Sequence, residues 1–156
     1  MIVGSNVVTR DNGLLDRISR VARDCTVKVE IGYFGKMHKP SITSKRARPI
    51  ALKDLAAIHE FGLGVPKRPF IEPALKENRR KYILHVGRQL TPVIRRRKSL
   101  DKVWQEVGTI AVMDIQKYML TASFTPLAPS TIKRKGSSKP LIETGQMRQS
   151  ITYKVK

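Results

Sequence analysis

His59 and Glu60 are adjacent in a stretch that reads as helix, and a pair of this kind serves metal-dependent hydrolysis when a second histidine completes the site. In a zinc-protease helix the second histidine comes four residues after the first, so that both lie on one face. That position is Leu63 in this chain. The sequence therefore excludes this class of metal site. We interpret His59 and Glu60 as structural residues, with Arg68 close enough along the chain to pair with Glu60.

The sequence also lacks the residues that a phosphate-binding loop or an acid–base catalytic site would need. Gly62 and Gly64 follow a predicted helix rather than a strand, and the Gly-Lys-Ser/Thr of a phosphate loop does not come after them. Cys25 is the single cysteine, so the sequence has no intrachain disulfide and no zinc-finger spacing. We predict no catalytic residue, no cofactor and no metal, and a protein that is not an enzyme. Most carboxylates read as outward helix positions: Asp54, Glu60, Glu72, Glu77, Asp101, Glu106 and Asp114.

The charge of the chain is strongly one-sided. It carries 31 lysines and arginines against 12 aspartates and glutamates, with a formal net charge of +19 and a pI near 10.7. Much of the excess lies in runs such as Arg95-Arg96-Arg97-Lys98. Such a surface repels itself and attracts polyanions, either nucleic acid or an acidic protein face. The candidate phosphate-contacting residues are Lys45, Arg46, Arg95, Arg96, Arg97, Lys133 and Lys135.

Length and hydropathy favour one domain over residues 1–156. No run approaches the roughly eighteen apolar residues of a membrane span, and the N-terminus lacks a signal-peptide pattern, so we expect a soluble protein made in the cytoplasm.

Thr26–Phe34 alternates apolar and polar residues as a half-buried strand does, and Ile151–Val155 repeats this pattern. Residues 35–49 lack periodicity and predict a long, flexible basic loop, which we expect to order only in an assembly; residues 1–10 read as an arm.

Two long amphipathic helices form the centre of the predicted fold. The first runs from about Pro73 to Arg97, and Pro92 inside the pattern should kink or divide it. Ser99 is the predicted N-cap of the second helix, whose apolar residues from Leu100 to Met119 line one stripe. We therefore predict an α+β fold in which the two helices pack on a small, largely antiparallel sheet.

Shorter helices complete the pattern. Asp11 or Asn12 can cap a helix with Leu14 and Ile18 at helical spacing, and Ala51–Phe61 reads as a helix that Gly62 stops. The segment after Pro129 favours a short helix. Thr144 can accept the N–H of Gln146 or Met147 and so cap one or two turns over Gly145–Ser150.

Two blocks of this chain resemble a known family. The first is Ala57–Gly62, AIHEFG, followed by Pro66–Ala74, PKRPFIEPA; the second is Pro126–Gly136, PLAPSTIKRKG, followed by Pro140–Tyr153, PLIETGQMRQSITY. Both look like segments of the tail-completion proteins of long-tailed bacteriophages, also described as virion morphogenesis or neck proteins. The resemblance covers roughly residues 50–155.

This resemblance implies a structural virion protein of the phage neck that completes the tail and joins it to the head. The expected assembly is a sixfold ring whose partners are other copies of the chain, the head connector and the tail-tube or terminator proteins, with nonspecific contact to DNA passing through the lumen and no membrane. The expected location is the virion, after assembly in the host cytoplasm. Arg68→Ala or Arg148→Ala is expected to leave a folded subunit. The candidate interface residues are His59, Glu60, Phe61, Gly62, Arg68, Pro69, Phe70, Leu127, Pro129, Thr131, Arg134, Leu141, Thr144, Gly145 and Arg148.

A second hypothesis comes from the charge alone. A nucleic-acid-binding protein, cellular or viral, would use the basic helices to grip backbone phosphates without reading sequence. Aromatic residues make up 6% of the chain, and no recognisable RNA- or DNA-binding module is present, so base stacking and groove reading have no obvious carriers.

Overall fold

The computed structural model describes residues 13–24, 29–38, 50–135, 138–141 and 145–156, and it confirms an α+β fold. The predicted arm, the caps Asp11, Asn12 and Thr144, and most of the predicted basic loop lie outside these residues. The elements in chain order are α1 (Leu14–Asp24), β1 (Val29–Gly32), β2 (Met37–His38), β3 (Ile50–Ala51), α2 (Leu52–Phe61), α3 (Glu72–Ile94), α4 (Leu100–Thr121), α5 (Pro129–Lys135), α6 (Gln146–Ser150) and β4 (Thr152–Val155).

The strands of the described chain form two small antiparallel sheets. In the first, β1 pairs with β4, with Val29 opposite Val155 and Gly32 opposite Thr152. This pairing confirms the predicted antiparallel association of the two alternating segments. In the second, β2 pairs with β3, with Met37 opposite Ala51. The second sheet was not predicted, and it places Met37 and His38, inside the predicted loop over 35–49, in a strand.

The two long helices occur where their apolar periodicity predicts them. α3 is 23 residues long and contains Pro92, so of the predicted kink or division at this proline, the division does not occur. Pro92 lies in the last turn of α3, so the one helical bond that it cannot donate is lost close to the helix end, and only two helical residues follow it. The Ser99 side chain accepts a hydrogen bond from the Lys102 N–H at 3.3 Å, which confirms it as the N-cap of α4.

The core lies where α4 packs against α3 on one side and against the β1–β4 sheet on another. From Gly108 to Met119 the buried residues of α4 recur every three or four positions, and Val103 precedes them, which is the pattern of one apolar helix face. Phe70 and Leu52 close the core near α2 and the start of α3 and have no exposed surface. The main buried cluster consists of Tyr33, Leu52, Ala56, Phe70, Ala74, Ile115, Met119, Leu141, Met147 and Ile151.

Gly108 is the point where β4 comes closest to α4. A Cβ built at this position would lie 2.4 Å from Cδ2 and 2.5 Å from Cγ of the Tyr153 ring. The Tyr153 hydroxyl is fixed at its other end, where it accepts a hydrogen bond from the Thr109 hydroxyl at 3.1 Å. Glycine in the middle of a helix is unfavourable by itself, so the close approach of this ring is the physical reason for its presence.

Polar contacts join α3 to α4 at both ends of their crossing. The Lys81 ammonium donates to both carboxylate oxygens of Asp114, at 2.6 and 2.8 Å, and the Tyr82 hydroxyl donates to Asp114 at 3.0 Å. Burial, and then this bond to Asp114, raise the pKa of Tyr82 above its ordinary value. Towards the other end, Lys98 and His85 both contact Glu106, at 2.6 and 3.1 Å.

We expect Gly108→Ala to lower the free energy of unfolding by about 1–3 kcal/mol, because the new methyl group would displace the Tyr153 ring. The matched control is Gly87→Ala in α3, where nothing lies within 4 Å of the added Cβ. There the same change should raise the free energy of unfolding by about 0.5–1 kcal/mol through helix propensity. Urea denaturation of both variants measures the two effects, and equal shifts in the same direction would refute the role of the ring.

The ion pairs of Glu106 predict how the stability of the fold changes at low pH. The Lys98 ammonium, and then the His85 ring, hold the pKa of Glu106 below its usual value of 4.5, against the opposing effect of burial. A carboxyl whose pKa is lowered on folding stabilises the fold above its unfolded pKa and loses that effect as pH falls through its folded pKa. The parent protein should therefore exceed Glu106→Gln in stability above about pH 4.5, and this difference should shrink on further acidification. Denaturant titrations at several pH values measure it; a difference independent of pH would contradict the assignment.

Candidate interface at the glycine turn and the C-terminal block

The turn after α2 requires glycine. Gly62 ends the helix with φ 76°, in the left-handed region, and the N–H groups of Gly62 and Leu63 both donate to the Ile58 carbonyl, at 2.9 and 3.0 Å. A Cβ on Gly62 would lie 3.0 Å from Cβ of Lys67. Gly64 also has a positive φ, of 73°. The predicted stop at Gly62 is confirmed, and the chain reverses tightly enough for the next segment to return to α2.

Glu60 is a buried carboxylate at the entry to α3, with 7% of its surface exposed. One oxygen, Oε2, accepts the backbone N–H groups of Phe70 at 2.8 Å and Ile71 at 3.1 Å, and Oε1 accepts that of Glu72 at 2.9 Å. These N–H groups lie at the N-terminus of a long helix, where partners are missing and the helix dipole favours negative charge. Glu60 therefore caps α3 from another helix, and the predicted pairing of Glu60 with Arg68 is wrong.

Arg68 connects the turn to the segment after α4. Only 4% of its surface is exposed, and its guanidinium donates from Nε to the Thr125 carbonyl at 2.7 Å and from Nη2 to the Pro126 carbonyl at 3.0 Å. Its backbone N–H donates to the His59 carbonyl at 2.8 Å. The two blocks that carry the family resemblance are thus held together by one side chain. Replacement of Arg68 would weaken this connection inside the subunit, contrary to the expectation that the residue lies at the surface.

Tyr33 borders the same buried region from the strand side. Its side chain is in the core, and its hydroxyl makes no hydrogen bond within the described part of the chain. Burial, and secondarily the negative charge of Glu60, raise the pKa of Tyr33 well above its usual value. The Tyr33 hydroxyl is therefore uncharged, and the negative charge of Glu60 raises its pKa without a hydrogen bond between the two groups.

The turn after α2 carries two apolar side chains that are exposed to solvent. Phe61 is 66% exposed and Leu63 is 59% exposed, while the residues beneath them are buried. Leu63 was not among the predicted contact residues, although its place between two glycines was visible in the sequence. Large apolar side chains on a rigid, projecting turn are the kind of group that another protein surface covers.

The other candidate interface residues occupy different environments. Phe70 and Leu141 are buried with Glu60 and Arg68, so their side chains support the surface from inside. Arg148 is half-buried, and its Nε is shielded from water and makes no hydrogen bond to the residues that the structure describes. Pro129 is exposed at the start of α5; the half-buried candidates are His59, Gly62, Pro69, Leu127, Thr131 and Gly145, the last of which is the N-cap of α6 with φ 72°.

The candidate phosphate-contacting residues divide in a similar way. Arg95, Arg96 and Arg97 are exposed at the elbow between α3 and α4, as predicted. Lys133 is exposed on α5, to which Lys135 and the interface candidate Arg134 also belong. Lys45, Arg46 and Thr144 lie outside the described residues.

The elbow itself ends α3 in a defined way. The Arg97 N–H donates to the Pro92 carbonyl at 2.8 Å, and the Arg96 N–H donates to the Val93 carbonyl at 2.9 Å. This pair of bonds is the Schellman arrangement, in which the residue after the cap takes a left-handed conformation and is usually glycine. Here that residue is Arg96, with φ 55°.

A groove of about 350 Å³ lies between α3, α4 and β4. The Glu106 carboxylate at its wall is engaged by Lys98 and His85, which gives it a role in packing the two helices. The described residues contain no group of three His, Cys, Asp or Glu side chains that could hold a metal ion. None of the helices in these ranges is long and apolar enough to cross a membrane.

Comparison with known proteins gives no match: no family model, no curated protein and no solved structure is significantly similar to this chain.

We expect Glu60→Gln to lower the free energy of unfolding by about 2–4 kcal/mol, because an amide has no negative charge and leaves at least one buried N–H without an acceptor. Glu77→Gln is the control, since Glu77 is an exposed carboxylate on α3, the helix that Glu60 caps, and its replacement should change stability by no more than about 0.5 kcal/mol. Thermal and urea denaturation would measure both. Equal stability of the two variants would contradict the capping role of Glu60.

Proposed function

We propose that this protein is a structural component of the bacteriophage neck, which completes the tail and joins it to the head connector as a ring. The observation that carries the proposal is the contact of Arg68 with the carbonyls of Thr125 and Pro126. It brings the glycine-turn block and the C-terminal block into one region, although they are far apart in the sequence. A combined surface of this kind is what a shared contact function for the two blocks requires.

The exposed pair Phe61 and Leu63 is the proposed centre of the contact. An interface has a core of apolar side chains that lose water, surrounded by a polar rim. The pair projects from a turn whose base is fixed by Glu60 and Arg68, so little conformational freedom is lost when it docks. A ring forms when a tip of this kind on each subunit meets a different surface on the next subunit, and the rotation closes.

The net charge supports templated assembly over spontaneous association. Subunits with a formal charge of +19 repel one another in solution. A partner with an acidic face would offset that repulsion and concentrate subunits on its surface. The head connector and the tail-tube or terminator proteins are the proposed partners, and the ring would form on them.

A double variant tests the contact directly. Phe61→Ser with Leu63→Ser should leave the unfolding midpoint nearly unchanged, because both side chains are more than half exposed. In infected or induced cells that supply only this variant, we expect electron micrographs to show separate full heads and tails in place of complete particles. Met113→Ser on α4, where the side chain is 61% exposed, is the matched control and should give normal particles.

Two observations would contradict the proposal. One is a full yield of infectious particles from the double variant that has lost the apolar tip. The other is a gene neighbourhood without connector or tail-tube genes, which can be inspected before any variant is made. Electron cryomicroscopy of purified particles would then give the number of subunits in the ring and the partner on each face.

A further inference from the structure

The side of α3 that faces away from α4 carries a row of positive charges. Ala74 and Val93 are the buried residues of this 23-residue helix, and eleven of its residues are exposed. Lys76, Arg80 and Arg88 lie on one row at spacings of four and eight residues, with the exposed apolar side chain of Leu84 between them, whereas Arg79 lies on the opposite flank from Arg88. Apart from Lys81, the exposed cations are thus Lys76, Arg79, Arg80 and Arg88, and the helix is followed by Arg95, Arg96 and Arg97.

These cations have no side-chain partners in the part of the chain that the structure describes. Within the described residues, none of the seven makes a side-chain hydrogen bond or an ion pair, whereas Lys81, on the α4 side, is bound to Asp114. The carboxylates of Glu72 and Glu77 on α3 and of Asp101 just after the elbow are also exposed, so seven cations stand against three acids. Unpaired charges at this density create a local potential that attracts a polyanion.

Arg96 provides a second, independent observation. It holds a left-handed backbone conformation, with φ 55°, at a position where glycine has no steric cost. An unfavourable conformation at a non-glycine residue points to a use for its side chain. In this chain the side chain is a guanidinium at the exposed elbow, directly after α3.

We propose that the outer face of α3 and the elbow form one phosphate-binding track for double-stranded DNA. From Lys76 to Arg95 the track spans about 28 Å at the helical rise of 1.5 Å per residue. Over that length duplex DNA presents about sixteen phosphate charges. A rigid helix with cations along its length suits an evenly charged rod. This inference stands independently of the neck assignment, because it rests on the charge and geometry of α3 and the elbow.

The other polar side chains of α3 explain why we expect DNA binding to be independent of the base sequence. The amide side chains of α3 are engaged within the chain: Asn78 donates to the Ala74 carbonyl at 2.9 Å, and Gln89 accepts from Lys98 at 2.8 Å. The aromatic Tyr82 is bonded to Asp114 on the α4 side, so the track has no ring on which unpaired bases could stack. Arginines and lysines without such neighbours contact phosphates, which carry no direct sequence information.

The test is fluorescence anisotropy with two unrelated 30-base-pair duplexes over a salt series. The parent chain should bind both equally, and its affinity should fall by about 0.9 log unit per log unit of salt for each phosphate contacted. Replacing the elbow by Arg95→Gln, Arg96→Gly and Arg97→Gln should reduce that slope by up to about 2.7. The control Lys36→Gln, Lys53→Gln and Lys117→Gln removes as many exposed charges from other elements and should leave the slope nearly unchanged.

The single variant Arg96→Gly separates binding from folding. Its melting temperature should equal or exceed that of the parent, because glycine relieves the backbone strain. Its affinity at about 0.1 M salt should nevertheless fall by up to about eightfold, the loss of one phosphate contact. Three results would overturn the proposal: a preference for one duplex, equal losses in the elbow and control triple variants, or negligible binding at low salt. Negligible binding would assign the basic face to an acidic protein.

Discussion

The buried carboxylate of Glu60 sets the geometry around which the region from α2 to α3 is built. A carboxylate without partners in the protein interior is very unfavourable, so its three N–H donors at the entry to α3 are a requirement of its burial. Because those donors belong to consecutive residues, the carboxylate fixes where α3 begins and how the chain approaches it. The glycine turn between the two helices then has little freedom. Arg68, inside that segment, is consequently placed where it reaches the carbonyls of Thr125 and Pro126.

α4 provides the other half of the framework. It contacts α3 through polar pairs such as Lys81 with Asp114, and it contacts the β1–β4 sheet through apolar side chains and through its backbone at Gly108. The ring of Tyr153 fits against that backbone. The C-terminal strand is therefore located by a shape match as well as by its hydrogen bonds with β1. The last block of the chain takes part in the core.

This framework leaves two chemically different surfaces. The turn after α2 shows Phe61 and Leu63 above a rigid buried base, which suits a protein contact. The exposed side of α3 carries cations that have no side-chain partner among the described residues. An apolar turn favours contact with another apolar protein surface, whereas a basic helix face favours contact with a polyanion. One chain can therefore present a protein contact and a polyanion contact without the two competing for the same residues.

The sequence determined those features that depend on near neighbours along the chain. Apolar spacing gave the positions of α2, α3 and α4, Ser99 and Gly62 gave one helix start and one helix end, and period-two alternation gave the strands that pair as β1 and β4. The missing second histidine after His59 excluded a zinc-protease site by the same local logic. Charge runs also predicted the exposed elbow at Arg95–Arg97.

Tertiary structure decided which groups meet across long separations. The sequence offered Arg68 as a partner for Glu60, yet the carboxylate binds N–H groups ten to twelve residues away, and the guanidinium binds carbonyls 57 and 58 residues away. The small sheet of β2 and β3, the Tyr153 ring over Gly108 and the continuation of α3 through Pro92 were likewise absent from the pattern. Each of these features depends on how packed elements approach one another. Periodicity reports which face of an element is apolar, but it does not specify the partner or the distance.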